Sequence, residues 1–247
     1  MPATESYPRR QFLIALVVLA VSACASATPG AKPHDMSSAE HDRRGREEEL
    51  VAQQHAGQYD PNAVYEQAAC PVATKQAQAC WTSVRNPTAE HLRLAEEHRR
   101  RAAEHRAASA VLRAAEERAC IGISPDDRDI SPFEHFEDIV SVEPLQVRTT
   151  MKEPLYRNAG AIVTFLAVPG MTPEWLQRLI DCHLARNAAL GHVVLEMPDC
   201  PLVLRGVSAH AGATENGFEV AISSEDADTA KQIQARAQRL QRAAGPR

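Results

Sequence analysis

Residues 161–168 read AIVTFLAV, a continuous run of apolar and β-branched residues that is typical of a buried strand. A second run, IVSVEPLQV, occupies residues 139–147 and predicts another strand. Residues 170–173 (GMTP) then predict the start of a helix that reaches about Leu190 and stops at Gly191. These segments predict two strands followed by one helix.

The pattern repeats towards the end of the chain. Residues 202–210 and 217–223 predict strands joined by a tight turn at Asn216-Gly217, and Ser224 predicts the cap of a final helix. Each helix has one apolar face, which would pack on the sheet. Residues 121–245 therefore predict a small α+β domain, a ββαββα antiparallel-sheet sandwich with the connectivity of a circularly permuted ferredoxin-like fold.

A long charged helix is predicted before this domain, over residues 88–120. It lacks Gly and Pro through residue 119 and is rich in Ala, Glu, Arg and Leu. The pair Glu-His recurs every seven residues, with histidines at His91, His98 and His105. Apolar positions are sparse, so the helix either lies on the surface and offers a face to a protein partner, or pairs with a second charged helix over residues 38–57.

The segments before this helix are less regular. Residues 24–60 predict a tether, flexible over residues 25–37, and then a charged stretch that is either helical or disordered. Residues 61–87 predict a loop that contains Cys70 and Cys80.

Residues 1–23 have the layout of an export signal. Arg9-Arg10 precede the apolar run 12–20 (FLIALVVLA), and small residues lead to Cys24. The apolar run is shorter than the roughly 20 residues that span a bilayer. We therefore expect cleavage of this segment.

The sequence Val21-Ser22-Ala23-Cys24 resembles the lipobox of bacterial lipoproteins. The resemblance implies that Cys24 receives the lipid, that cleavage precedes it, and that Ala25 favours the periplasmic face of the outer membrane. The alternative is ordinary cleavage after Ala27, which would release a soluble periplasmic protein. Residues 9–13 (RRQFL) also resemble the twin-arginine export motif, although Pro8 and Ile14 depart from it. The segment from about 88 to 240 is similar to exported hypothetical proteins of GC-rich bacteria, and that similarity implies no activity.

Lipidation of Cys24 would leave five cysteines in an oxidising compartment, where disulfides are expected. Cys70 and Cys80 close a short loop and form the first predicted pair. Two of the remaining three cysteines can form a second pair, and Cys182 with Cys200 is the preferred combination. One thiol then has no partner.

The net charge of −5 argues against nucleic acid as a partner. No phosphate-binding loop, dinucleotide fingerprint or serine-hydrolase elbow occurs in the sequence. The usual sequence grounds for proposing an enzyme are therefore missing.

Soft side chains cluster in the second half of the chain. His183, His192, Met197 and Cys200 offer imidazole, thioether and thiolate groups that suit copper or zinc. The alternative is structural: His183 is a hydrogen-bonded core residue, and Cys200 forms a disulfide with Cys182. His91, His98 and His105 lie roughly 10 Å apart along a helix, so they cannot share one ion.

Three hypotheses follow. The first is an envelope lipoprotein with a non-enzymatic binding or structural role, without a cofactor, attached to the membrane through its lipid. The second is a periplasmic lipoprotein that binds or buffers copper or zinc. The third is a thiol-dependent enzyme, which requires a reactive free Cys182 or Cys120.

Overall fold

A computed structural model of the chain describes residues 28–69, 81–149 and 155–244. The predictions for the signal, Cys24, Cys70 and Cys80 lie outside these ranges. The described part has a mixed α/β architecture with two antiparallel sheets, which confirms the predicted class.

The first half of the chain is a helical hairpin. Helix α1 (Ser38–Gln58) and helix α2 (Ala89–Ala119) are antiparallel. The segment that connects them contains strands β1 (Tyr65–Ala69) and β2 (Trp81–Arg85), which pair in a small antiparallel sheet. Of the two alternatives for α2, the structure shows the pairing with the charged segment 38–57, and this segment is helical. One face of α2 is thus covered by a helix of the same chain.

Small side chains allow the two helices to approach closely. Ala52 of α1 and Ala95 and Ala102 of α2 are fully buried. Gly45 faces α2 so closely that an added Cβ atom would lie 3.3 Å from the carbonyl oxygen of Ala102. The alanines of α2 therefore lie in a close helix–helix interface and not on the surface.

The second half contains the four-stranded sheet. A short helix, α3 (Pro125–Asp129), leads to strands β3 (Ile139–Arg148) and β4 (Tyr156–Leu166). Helix α4 (Pro173–Ala189), strands β5 (Val207–Thr214) and β6 (Gly217–Ser224), and helix α5 (Ala227–Ala244) follow. The strands are antiparallel in the spatial order β3-β4-β6-β5.

Alternate residues of the central strands β4 and β6 form the core, and helices α4 and α5 pack on that face of the sheet. The core residues include Ala161, Val163 and Phe165 from β4, Phe218, Val220 and Ile222 from β6, Leu176 and Ile180 from α4, and Ile233 and Ala237 from α5. The opposite face of the central strands is only partly buried.

Helix α4 begins where the sequence predicts. The Thr172 hydroxyl accepts a hydrogen bond from the backbone N–H of Trp175 at 3.2 Å, Pro173 is the first helical residue, and Gly191 follows the helix at φ +74°. The predicted strand start at residue 202 is wrong, because residues 201–203 form a 3-10 turn and β5 begins at Val207.

The predicted flexible tether is also wrong for residues 28–37, which pack against the folded part. The backbone N–H of Thr28 donates to the Glu104 carboxylate at 3.2 Å. Arg205 donates to the carbonyl oxygens of His34 at 2.6 Å and Asp35 at 3.4 Å. These contacts shorten any free tether to the residues before Thr28.

A disulfide joins the two halves. Cys120, which caps α2, is bonded to Cys182 of α4, and Cys200 is a buried free thiol. The preferred pairing of Cys182 with Cys200 is therefore wrong. Cys182 lies on the side of α4 that faces the end of α2, where it packs with Ile123 and Leu179.

We expect the Cys120–Cys182 bond to be a main source of stability, because it closes 62 residues of chain. The double variant Cys120→Ala/Cys182→Ala should lose about 2–4 kcal/mol of unfolding free energy in urea titrations. Peptide mapping without reductant should recover residues 120 and 182 in one linked pair and Cys200 as an alkylated thiol. A linked pair of Cys182 and Cys200 would contradict the structure.

Candidate functional site

Polar residues of the hairpin are matched in three layers. Helix α1 carries His41, Glu48 and His55 at intervals of seven residues, and α2 carries His91, His98 and His105 at the same interval. Because the helices are antiparallel, the two series meet in reverse order, as His41 with His105, Glu48 with His98, and His55 with His91.

The layer nearest the α+β domain is buried. Nδ1 of His41 lies 3.1 Å from Nδ1 of His105, and Nε2 of His41 lies 3.3 Å from the carbonyl oxygen of Pro33. A carbonyl oxygen only accepts, so Nε2 of His41 carries the proton and Nδ1 of neutral His41 accepts from His105. Burial lowers the pKa of His105, and the neighbouring His41 lowers it further.

The other two layers are half-buried. Nδ1 of His55 lies 3.2 Å from Nδ1 of His91, and the His55 ring stacks on the rings of both His91 and His98. Nδ1 of His98 lies 2.6 Å from the Glu48 carboxylate. Two histidine–histidine layers thus flank one histidine–carboxylate layer.

A second site surrounds the free thiol. Sγ of Cys200 lies 3.5 Å from Nε2 of His183, and the Ser131 hydroxyl donates to the same sulfur at 3.4 Å. Burial raises the pKa of the Cys200 thiol and lowers the pKa of His183 to about 4. Both groups are therefore neutral at pH 7.

His183 is incompletely satisfied. The residue is 2% exposed, and its Nδ1 atom has no hydrogen-bond partner in the described part of the chain. A buried polar atom without a partner costs about 1–3 kcal/mol. Such an atom calls for a specific explanation, of which a bound ion or a catalytic role are recognised examples.

The predicted metal ligands are only partly brought together. His183 meets Cys200, and Met197 lines the same cavity as Cys200. His192 is elsewhere, since its Nδ1 donates to the carbonyl oxygen of Val203 at 2.9 Å. Across residues 28–69, 81–149 and 155–244, no three His, Cys, Asp or Glu side chains form a group that could hold a metal ion.

His192 faces a groove between α2, α4 and the start of β5. The groove has a volume of about 600 Å³. Its walls are mostly apolar, and four polar residues interrupt them: His34, Asp181, His192 and Arg205. The apolar lining comprises Val111, Leu112, Ala115, Leu184, Ala185, Ala188, Leu204 and Val207.

The backbone of His192 is held in the left-handed region, at φ +64°. A non-glycine residue there costs about 1–3 kcal/mol and is retained only where its surroundings enforce it. The bond from Nδ1 to Val203 leaves the Nε2 lone pair as an acceptor. Burial lowers the pKa of His192, which keeps that lone pair available.

The reactive free thiol that a thiol-dependent enzyme requires is available at neither Cys182 nor Cys120. Cys182 is bonded to Cys120, and the adjacent His183 faces Cys200 instead.

No helix in the described ranges is long and apolar enough to cross a membrane. No protein-family model, curated protein or solved structure matches this chain.

Sequence reasoning missed the layered hairpin, although a signal was present. His41, Glu48 and His55 have the same seven-residue spacing as His91, His98 and His105. Matching two series in reverse order predicts antiparallel pairing. The groove at His192 has no comparable signal, because its residues come from distant segments.

The buried His41–His105 layer should make the protein less stable in acid. His105 takes up a proton near pH 6.5 in the unfolded chain but only at lower pH in the folded chain. The contribution of His105 to the free energy of unfolding is therefore complete above pH 6.5 and decreases as the pH falls below that value. Arg44, Glu48 and Glu104 also face His105, and the two carboxylates partly oppose the shift.

Replacing His105 by Asn, whose amide nitrogen can still donate to His41, should reduce the loss of unfolding free energy between pH 7.5 and pH 5. Urea titrations at both pH values measure the difference. The exposed His135→Asn serves as the matched control and should behave as the wild type. An unchanged pH dependence in His105→Asn would refute this role.

Proposed function

We propose that the chain is a lipid-anchored protein of the bacterial envelope that acts by binding, and that the groove beside His192 binds a small amphipathic molecule. The observation that carries this proposal is the groove itself, with apolar walls around an imidazole that is fixed in one tautomer. Its volume of about 600 Å³ lies within the usual range for small-ligand sites.

The disulfide supports an exported protein. Cys120 and Cys182 are both fully buried and bonded, and such bonds persist in oxidising compartments such as the periplasm. The resemblance of residues 21–24 to the lipobox of bacterial lipoproteins supports a lipid anchor on Cys24. Several acyl chains hold a protein far more strongly than the single chain that binds only marginally.

The packed segment 28–37 supports a position close to the bilayer. Thr28 is held on α2 by Glu104, so only residues 24–27 separate the lipid from the folded part, a reach of about 13 Å. The groove begins at Val111, roughly 10 Å farther along α2. An amphipathic molecule that leaves the membrane would meet this groove within a short distance.

The chemistry of the groove defines the ligand class. The apolar walls suit an aromatic or aliphatic body, and Nε2 of His192 accepts a hydrogen bond from a hydroxyl or N–H group. Asp181, which also lines the groove, adds a second acceptor. The third hypothesis, a thiol-dependent enzyme, requires a free Cys182 or Cys120, and it loses support because these two cysteines are bonded to each other. The thiol of Cys200 is buried, and burial raises its pKa, which disfavours the reactive thiolate.

We also infer that the α+β domain, described over residues 121–149 and 155–244, is a circularly permuted ferredoxin-like sandwich. The order of elements, β3-β4-α4-β5-β6-α5, and the spatial strand order β3-β4-β6-β5 support this arrangement. Since this fold carries many activities, the site and not the fold supports the proposed function.

Anchoring is tested with Cys24→Ser. We expect the wild-type chain in the membrane fraction and in the detergent phase of a detergent partition, and the variant in the soluble fraction. Cys200→Ser is the matched control and should remain with the membrane. A wild-type chain found only in the soluble fraction would reject the lipid anchor, but it would not bear on the proposal that the groove binds a ligand.

Binding is tested with N-phenyl-1-naphthylamine, a fluorescent amphipath that has two aromatic groups and one N–H donor. We expect its fluorescence to rise with the wild-type protein. Ala188→Phe should fill the groove and weaken this binding at least tenfold, whereas Ala110→Phe, on the exposed face of α2, should leave it unchanged.

His192→Asn separates the polar contact from the apolar one. Asn tolerates the left-handed backbone but lacks the Nε2 acceptor, so the affinity for the same probe should fall several-fold without loss of folding. Equal affinity of all three variants and the wild type would reject the groove as the binding site, whatever the result of the fractionation.

A further inference from the structure

Three large apolar side chains are exposed in the loop that follows α4, over residues 190–195. Leu195 is 84% exposed and Val193 is 71% exposed, the two highest fractions among the large hydrophobic residues of the described ranges. Leu190, at the end of α4, is 43% exposed. Single exposed apolar residues are common on proteins, whereas a group of them in one short loop indicates a surface that meets an apolar partner.

The 190–195 loop is fixed to the domain at several points. Val194 and Met197 pack against the hydrophobic core, and the backbone N–H of Met197 donates to the carbonyl oxygen of Val194 at 3.3 Å. Nδ1 of His192 lies 2.9 Å from the carbonyl oxygen of Val203, which fixes the start of the loop. Since Val194 faces the core, the side chains before and after it face outward.

The start of this loop lies against the segment 28–37, which leads to the lipid. An added Cβ atom on Gly191 would lie 3.0 Å from the backbone nitrogen of Ser37, so the two segments are in contact. Arg205 also joins them, because its guanidinium donates to the carbonyl oxygens of Gly191 at 3.3 Å and His34 at 2.6 Å. An anchor that holds residues 28–37 near the bilayer therefore holds this loop there as well.

The path from the lipid to the loop is short. Residues 24–27 have a reach of about 13 Å. Two turns shorten the segment that follows: the backbone N–H of Ala31 donates to the carbonyl oxygen of Thr28 at 3.1 Å, and that of Asp35 donates to Lys32 at 3.0 Å. A short tether gives the loop a high effective concentration beside the bilayer, so insertion of a few apolar side chains becomes an intramolecular step.

We propose that Leu190, Val193 and Leu195 insert into the membrane leaflet that carries the lipid anchor. This inference rests on the lipid anchor of the proposed function, and it adds a second contact with the bilayer, made by the protein itself. Glu196 follows directly, and a charged group stays in water, so insertion ends at Leu195. Because His192 directly precedes Val193, the groove would lie at the membrane surface, where an amphipathic ligand enters and leaves the bilayer.

The test attaches the mature chain, residues 24–247, to a lipid chemically, so the result does not depend on acylation in the cell. Cys70 and Cys80 are changed to Ser, and Cys200 is buried, so a maleimide that carries one myristoyl-length chain reacts at Cys24. One such chain binds membranes only marginally and reversibly. A contribution from the loop therefore appears as tighter binding to phosphatidylcholine vesicles, which sedimentation measures.

The double variant Val193→Ser/Leu195→Ser should bind these vesicles at least tenfold more weakly than the parent, because it lacks the apolar surface that the bilayer would cover. Both side chains are exposed, so the substitutions leave the core intact. Equal binding of the double variant and the parent would overturn the inference. Failure of the lipid anchor appears separately, in the fractionation of the wild-type chain and Cys24→Ser.

Val84→Ser is the matched control. Val84 is 68% exposed, close to the value of Val193, and it lies in β2, before the start of α2. Ala89, where α2 begins, is about 33 Å along the helix from Val111, which lines the groove. Val84→Ser should therefore bind the vesicles as the parent does.

A second measurement observes insertion directly in the lipid-coupled parent chain. In bicelles whose phosphatidylcholine carries a nitroxide on the acyl chain, the methyl resonances of Leu190, Val193 and Leu195 should broaden, and those of Val84 should not. Sharp resonances of Val193 and Leu195 would overturn the inference. Equal broadening at Val84 would also overturn it, because a different surface would then contact the membrane.

Discussion

The bond between Cys120 and Cys182 is the constraint on which the arrangement of the two halves depends. It holds the end of α2 against the middle of α4, and the ion pair of Arg186 with Glu116 at 2.9 Å lies beside it. Two walls of the groove at His192 come from these two helices. Without the bond, the distance between the walls would depend on weaker contacts that water competes for.

Three consecutive residues of α4 serve three different neighbours. Cys182 is bonded to α2, His183 contacts Cys200, and Leu184 lines the groove. Successive residues of a helix point about 100° apart, so one turn of α4 supplies the bond between the two halves, the contact with the Cys200 thiol and part of the groove wall. A change in the packing of this turn would therefore affect all three features together.

The hairpin shows how polar residues can specify a pairing that apolar residues leave open. Alanine and glycine bring α1 and α2 close but define no register, because small side chains fit together in many ways. The layers of His41 with His105 and His55 with His91 place imidazole nitrogens in hydrogen-bond contact in the observed register. A shift by one residue would break these contacts and bury unpaired nitrogens.

Sequence alone determined the class of the domain, the start of α4 at Thr172-Pro173, the long charged helix and the resemblance of residues 21–24 to a lipobox, because each is a local pattern of propensity, capping or motif. It did not determine the partner of Cys182, since disulfide pairing depends on which side of α4 meets α2. The separation of His192 from His183 and Cys200, and the groove itself, were decided by tertiary structure. Residues far apart in sequence become neighbours only when helices pack, and no local pattern encodes that packing.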